Sequence, residues 1–190
     1  MFKVLFGVFQ DSLPDGWGEL LIRRMLFKKG IDYNQLTPLQ KLMLVNDDGL
    51  GALTYYPSES FENPNLHFDL DQLAESAKHI FDEKNENKND LDIAFHAGGS
   101  SGGARPKAHL KINNDYYIIK FPCSHDPKNI GILEYQANMD AKKCGINTNE
   151  CRIFESKICQ GYFGAKRFDR DHKGNRIHML SFSSLLETSH

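Results

Sequence analysis

The chain has 190 residues, of which 40% are apolar and 25% are charged, and its formal net charge is −2. This length suits one substantial domain or two small subdomains. The small net charge excludes a general attraction to nucleic acid or anionic membranes, and no segment approaches the roughly 18 apolar residues of a membrane span. The four cysteines form no C-x-x-C pair and lack histidines at zinc-finger spacing, which favours reduced thiols in a cytoplasmic protein over a metal site.

The first ninety residues are predicted to be mostly helical. The apolar segment 1–9 is typical of a short strand, and another strand is predicted over 52–56. Helical periodicity and capping residues predict helices over three segments: 17–29, 38–45 and 70–81. Asp15 is the expected cap of the first helix. The polar run 82–90 is either a boundary between subdomains or the solvated end of a long helix.

The most distinctive stretch is glycine-rich and reads GGSSGGARPK over residues 98–107. Glycines let a backbone turn tightly, and successive N–H groups in such a turn form a concavity that suits phosphate oxygens. The stretch lacks the Gly-Lys-Ser/Thr of a Walker loop, and it leads into an alternating run instead of the helix of a Rossmann loop. With a strand predicted over 91–95, it has the arrangement of a protein-kinase glycine loop between two strands. A flexible hairpin tip is the alternative.

Strands are predicted to follow the loop. A hairpin is expected from strands 108–112 and 116–121, joined by an Asn-Asn-Asp turn. Lys120 stands in the second strand and points either to solvent or inward toward an anion. A helix is expected over 130–144, with Glu134 at the edge of an apolar face. That face comprises Ile130, Leu133, Ala137, Ala141 and Cys144. Later strands are predicted over 153–158, 162–167 and 176–180.

The order of these parts is that of a kinase N-lobe. Phosphoryl transfer depends mainly on positioning and on neutralising charge, so a lysine must touch the phosphates and a helix glutamate must hold that lysine. Lys120 and Glu134 are the candidates for this pair. We therefore predict an α+β fold, in which a kinase-like N-lobe with an antiparallel sheet, a glycine-rich loop and one αC-like helix follows a small, mostly helical subdomain.

Seven motifs give the chain a resemblance to a known family. They are FQDSLPDGWG at 9–18, LGALTYYP at 50–57, GARPK at 103–107, IKFP at 119–122, EY at 134–135, KRFDR at 166–170 and IHML at 177–180. In this order and with this content, they resemble the HipA family, the serine/threonine kinase toxins of bacterial HipBA toxin–antitoxin systems. The motifs extend over nearly the whole chain.

The resemblance implies an ATP site. The loop residues that would surround the phosphates, through backbone N–H groups, are Gly102, Gly103, Ala104, Arg105, Pro106 and Lys107. Lys120 would contact the phosphates with Glu134 as its partner. The residues implied beside the adenine at the hinge are Lys166, Arg167 and Phe168, with Asp169 near the ribose. Position 166 holds lysine where the best-known member has glutamate, which a backbone contact would tolerate.

The resemblance also implies regulation and partners. Ser100, or the adjacent Ser101, matches an autophosphorylated serine whose phosphate would eject the loop by adding about two negative charges. Intact members use ATP and Mg²⁺ to phosphorylate a protein serine, with an aminoacyl-tRNA synthetase as the target class. Their partner is a HipB-like helix-turn-helix antitoxin. DNA contact is expected only through that antitoxin, and no membrane contact is expected.

The family's catalytic aspartate and Mg²⁺ ligands belong to a C-lobe, and the sequence contains neither His-Arg-Asp nor Asp-Phe-Gly. We therefore expect the central portion of such a kinase, without metal ligands of its own. Its expected parts are a partial, helix-rich HipA-like subdomain over 1–90, an ATP-binding subdomain over 91–180 and the start of a linker to the C-lobe over 181–190. Two alternatives stay open: a non-catalytic module that docks on an antitoxin or a separate catalytic half, and an unrelated ATP-binding protein with a similar loop.

Overall fold

The computed structural model describes residues 5–45, 49–58, 69–82, 89–98 and 102–188. Within them, the α-helices are α1 Gly7–Gln10, α2 Gly16–Lys28, α3 Pro38–Leu42, α4 Leu70–Phe81, α5 Asp90–Gly98, α6 Ile130–Lys143 and α7 Phe182–Leu185, and a 3-10 helix spans Tyr33–Gln35. The strands are β1 Lys107–Ile112, β2 Asp115–Lys120, β3 Cys151–Phe154 and β4 Tyr162–Lys166. The predicted α+β class, with helices before an antiparallel sheet, is confirmed. No helix of the described segments is both long and apolar enough to cross a membrane.

The four strands form one antiparallel sheet in the order β1-β2-β4-β3. Asn113 and Asn114 join β1 to β2, and both have positive φ, as a tight hairpin turn requires. The turn fixes the register, in which Lys107 lies directly opposite Lys120 and Lys120 lies opposite Phe163. Because opposed residues share a face, these three side chains lie on the same side of the sheet.

The opposite side of the sheet packs on helices α2, α4 and α5. Buried side chains of α2, α4 and α5 form one hydrophobic cluster with those of the strands. Its fully buried members include Trp17, Leu21, Leu73, Ile80, Leu91, Ile119 and Tyr162. Helices α4 and α5, which flank the polar run, pack against each other. Residues 83–88 of that run lie outside the described residues, and the subdomain boundary at 90 stays a prediction.

The segment before the glycine loop is helix α5, and the strand predicted over 91–95 is wrong. Leu91, Ala94, Phe95 and Gly98 are buried at the spacing i, i+3, i+4, i+7 of one helix face. In a run of five apolar residues, periodicity cannot distinguish a strand from a helix, and here the helix extends over nine residues. The loop therefore connects a helix to a strand.

Three other strand predictions are also wrong. Segment 52–56 forms no strand. In segment 1–9, residues 7–9 belong to helix α1, and residues 1–4 lie outside the described part. Near the predicted final strand 176–180, the structure has an isolated bridge between Arg170 and Arg176. Short extended segments that find no neighbouring strand form no stable sheet.

Helix α6 presents a different face to the sheet from the one predicted. Leu133 of the predicted apolar face is 49% exposed, and the buried residue of α6 is Gly131. A Cβ at Gly131 would lie 2.3 Å from the carbonyl oxygen of Gly161. The absence of a side chain thus allows the helix to approach the backbone at β4, and this contact orients the helix.

Asp71 joins α4 to the β3–β4 connection. Its carboxylate accepts hydrogen bonds from the hydroxyls of Ser156 and Tyr162, both at 2.7 Å, and from the Lys157 N–H at 2.9 Å. Burial alone would raise the pKa of Asp71, but these hydrogen bonds outweigh it and lower the pKa. The carboxylate is therefore held in its ionised form at neutral pH.

Replacing Tyr162 with phenylalanine is expected to destabilise the fold by about 1–2 kcal/mol, because it removes a hydroxyl that donates to the Asp71 carboxylate. Urea unfolding at pH 7 measures the loss, and Tyr56→Phe is the matched control because Tyr56 is 78% exposed. Equal stability of the two variants would contradict this role of Asp71.

Candidate functional site

Two lysines lie side by side on one face of the sheet. Lys107 on β1 is directly opposite Lys120 on β2. Like charges in directly opposed positions destabilise a sheet, so a hydrophobic or oppositely charged pair would serve the fold better. The pair makes this face, at the exit of the glycine loop, a basic site.

Lys120 also forms an ion pair with α6. Its Nζ lies 2.9 Å from Oε1 of Glu134, and the ring centre of Phe163 is 5.5 Å from the same Nζ. The two charged side chains are 36% and 27% exposed. The structure brings Lys120 and Glu134 together, so Lys120 faces the Glu134 carboxylate while its side chain stays in contact with solvent.

Lys107 is more deeply buried. Lys107 is 9% exposed as a whole residue. Its Nζ donates hydrogen bonds to the carbonyl oxygens of Gly102 and, at 3.0 Å, Gly103. Burial lowers the pKa of Lys107 to about 8, and repulsion by Lys120 acts in the same direction, while Asp15 and Glu134 oppose it. A dehydrated ammonium of this kind interacts strongly with any anion that reaches it.

The glycine loop is docked on the N-terminus of α2. Gly103 has φ of +78° and donates its N–H to the Asp15 carboxylate, while its carbonyl accepts the Trp17 N–H at 2.9 Å. The Trp17 indole Nε1–H also donates to the Lys107 carbonyl at 3.2 Å. Asp15 therefore makes no side-chain cap of α2, which corrects the prediction. Ser100 and Ser101 lie outside the described residues, and their phosphorylation stays a prediction.

The rest of the loop is fixed from the other side. Both guanidinium NH groups of Arg105 donate to the Asp126 carboxylate, one of them at 3.0 Å, and Pro106 is buried. The Asp126 carboxylate also accepts the Cys123 N–H at 2.8 Å. Arg105 thus contributes its charge mainly to this structural pair, while Ala104 is exposed between the two anchored parts.

The four residues implied at the hinge and ribose separate into two environments. Lys166 pairs with Asp115 at 2.8 Å near the surface, and Phe168 is 59% exposed. Arg167 and Asp169 point inward and are almost fully buried. Within the described residues, the Asp169 carboxylate makes no hydrogen bond or ion pair with Lys107 or Lys120.

Asp169 is instead the centre of a buried ion cluster. Its carboxylate accepts from Arg167 at 2.7 and 2.9 Å, from Arg170 at 2.8 Å and from the Gly51 N–H at 2.8 Å. Burial would raise the pKa of Asp169, but these donors and their charges lower it. The Gly49 carbonyl accepts from the arginines as well, so the cluster ties segment 49–51 to the end of β4.

Sequence analysis missed two contributors to the site. The sequence predicts Asp15 as a helix cap and Trp17 as the first residue of that helix, whereas both contact a loop that lies more than 80 residues later. The signal that could have identified them is the motif LPDGW at 13–17, which is part of the family resemblance. It contains more turn-forming residues than the start of a helix requires.

The fold and the site define the class of protein: an α+β protein with a glycine loop beside a basic site at one edge of an antiparallel sheet. Residues 99–190 match the family model described as the HipA-like C-terminal domain, so this segment of the chain is similar to that domain. The matched segment contains the two lysines, Glu134 and the described part of the glycine loop. No match was found among curated proteins.

Proposed function

We propose that the chain binds the phosphates of ATP between the glycine loop and the pair Lys107 and Lys120, as the nucleotide-binding part of a HipA-type serine/threonine protein kinase. The observation that carries the proposal is the 2.9 Å ion pair between Lys120 and Glu134. A strand lysine held by a helix glutamate is the arrangement with which protein kinases position a lysine on nucleotide phosphates.

The charges of the site support this choice of ligand. Among the side chains of the sheet and α6, two lysines and one glutamate leave one positive charge, which Asp15 opposes from the start of α2, and Lys107 is held in a partly dehydrated position. Glu134 restricts Lys120 to one orientation, so less freedom is lost when a phosphate binds. Fixed positive groups of this kind stabilise the charge of a transferring phosphoryl group.

Mg²⁺ would arrive with the nucleotide. No group of three or more His, Cys, Asp or Glu side chains within the described segments is arranged to hold a metal ion. The proposed reaction of a kinase of this type is transfer of the ATP γ-phosphoryl group to a protein serine, with an aminoacyl-tRNA synthetase as the target class and a HipB-like antitoxin as the partner.

A second candidate function is a docking module without catalytic activity, and one observation favours it. Helices α1 and α7 pack together and leave the apolar side chains of Phe6, Phe182 and Leu186 largely exposed. A patch of this kind is characteristic of a surface that contacts another protein. Nucleotide binding distinguishes the two functions, because docking alone needs no phosphate site.

Thermal unfolding with increasing Mg²⁺-ATP tests the proposed function. A ligand that binds the folded state raises Tm once its concentration passes Kd, so the wild-type Tm should rise. For Lys120→Met the rise should need about ten times more ATP or more, since a hydrogen bond to a charged group contributes about 1.5–3 kcal/mol.

The matched control is Lys111→Met, at an exposed position two residues beyond His109 on the same face of β1. It should respond to ATP as the wild type does. A wild-type chain that unfolds cooperatively but shows no rise would contradict ATP binding and favour the docking module. An equal rise for Lys120→Met would contradict the assignment of the site.

A further inference from the structure

Two residues at the start of α2, Asp15 and Trp17, bind the glycine loop. Their contacts are of two kinds. Trp17 donates hydrogen bonds to the carbonyl oxygens of Gly103 and Lys107, at 2.9 and 3.2 Å, and is 1% exposed. Asp15 accepts the Gly103 N–H. The Trp17 contacts therefore use loop carbonyls, while the Asp15 contact uses a loop N–H.

The position of the Asp15 carboxylate is unusual for its place in the helix. Asp15 has the extended backbone of an N-cap residue, with φ of −126° and ψ of 172°, yet it makes no side-chain bond to the first turn of α2. An N-cap aspartate ordinarily accepts an N–H of that turn and stabilises the helix. Here the carboxylate is directed to the loop instead, close enough to Lys107 to interact with its charge.

A phosphate bound by this loop would need the same groups. Loop N–H groups and lysine ammonium groups are what binds phosphate oxygens in such sites. Asp15 is an anion that takes the Gly103 N–H and faces Lys107 electrostatically. The Trp17 contacts do not compete in this way, because carbonyl oxygens do not bind phosphate.

We propose that Asp15 is an intramolecular competitor of the nucleotide phosphates, which closes the loop in the free protein and releases the Gly103 N–H when nucleotide binds. Trp17 keeps the loop docked in both states. This inference rests on the proposed function and adds a regulatory residue to the same site. The affinity for ATP is then set partly by how tightly Asp15 holds the loop.

The test measures the affinities of the folded chain for ATP, inorganic triphosphate and adenosine. Asp15→Asn preserves the size of the side chain and an acceptor oxygen but removes the charge. We expect its affinity for ATP and triphosphate to rise about threefold, the order of one exposed charge interaction, with adenosine unchanged. Asp15→Ser, which keeps a good N-cap residue, is the second variant should the asparagine variant fail to fold.

The matched control is Asp11→Asn. Asp11 lines the same cavity as Asp15 and Gly102, but its carboxylate accepts from Ser181 and Ser184 and not from the loop. An equal rise for this control, or an unchanged or weaker affinity for the Asp15 variants, would overturn the competitor role. If neither the wild type nor any variant binds ATP, the proposed function and the inference both fail. If the wild type binds ATP through Lys120 but the Asp15 variants bind it no more tightly, only the inference fails.

Discussion

Replacing Asp169 with asparagine is expected to lower the free energy of unfolding by about 3–5 kcal/mol. The carboxylate is 2% exposed and accepts from Arg167, Arg170 and the Gly51 N–H. Asparagine preserves the size of the side chain but removes the negative charge that two buried guanidinium groups share. Breaking one side of a buried ion cluster is costly because the remaining charges cannot regain water.

Urea unfolding at pH 7 measures this loss, with Asp140→Asn as the control. Asp140 pairs with Lys143 on the surface of α6, where its side chain is 55% exposed and its charge is screened by water, so its substitution should leave stability nearly unchanged. The family resemblance places Asp169 beside the ribose of ATP. A variant that keeps its stability and loses ATP affinity would contradict the structural role and favour the ribose contact.

The stability of the wild type is expected to rise between pH 8 and pH 10, by up to about 3 kcal/mol, through Lys107. The pKa of Lys107 is lowered to about 8 in the folded chain, chiefly by burial, whereas an unfolded lysine titrates near 10.4. Between these values the unfolded chain binds more protons than the folded chain, so unfolding becomes less favourable as the pH rises. Below pH 8 the charged lysine remains an unfavourable feature of the fold.

Lys107→Met isolates this contribution. At pH 7 the variant should be more stable relative to the wild type than at pH 10, and the difference should decline as the pH passes about 8. Denaturant unfolding of both proteins across this range gives the difference directly, and Lys111→Met, at an exposed position of β1, should follow the wild type. A difference that is constant with pH would contradict the buried position of the Lys107 ammonium.

Local signals in the sequence predicted several elements well. The Asn-Asn-Asp turn predicted the β1–β2 hairpin because asparagine tolerates the positive φ of both turn positions. Thr37 and Pro38 predicted the start of α3, where Thr37 and Gln40 form a capping box. The same reasoning failed at residues 91–95, since a five-residue apolar run is compatible with either a strand or a helix.

Contacts between distant parts of the chain were beyond such signals. The Asp15 carboxylate meets Gly103 across 88 positions, and the Gly51 N–H meets Asp169 across 118. Nothing in the local sequence specifies these partners, because they depend on how α2 and segment 49–51 pack on the sheet. The orientation of α6 was missed for a similar reason: it depends on the close approach of Gly131 to Gly161, which apolar periodicity does not register.

The central claim is that the lysine pair binds nucleotide phosphates, and calorimetric titration tests it most directly. Wild type and Lys120→Met are each titrated with Mg²⁺-ATP and with adenosine, which lacks the phosphates. We expect the substitution to weaken ATP binding about tenfold or more and to leave any adenosine binding unchanged. Equal ATP affinities of the two proteins, or an equal loss for ATP and adenosine, would contradict it.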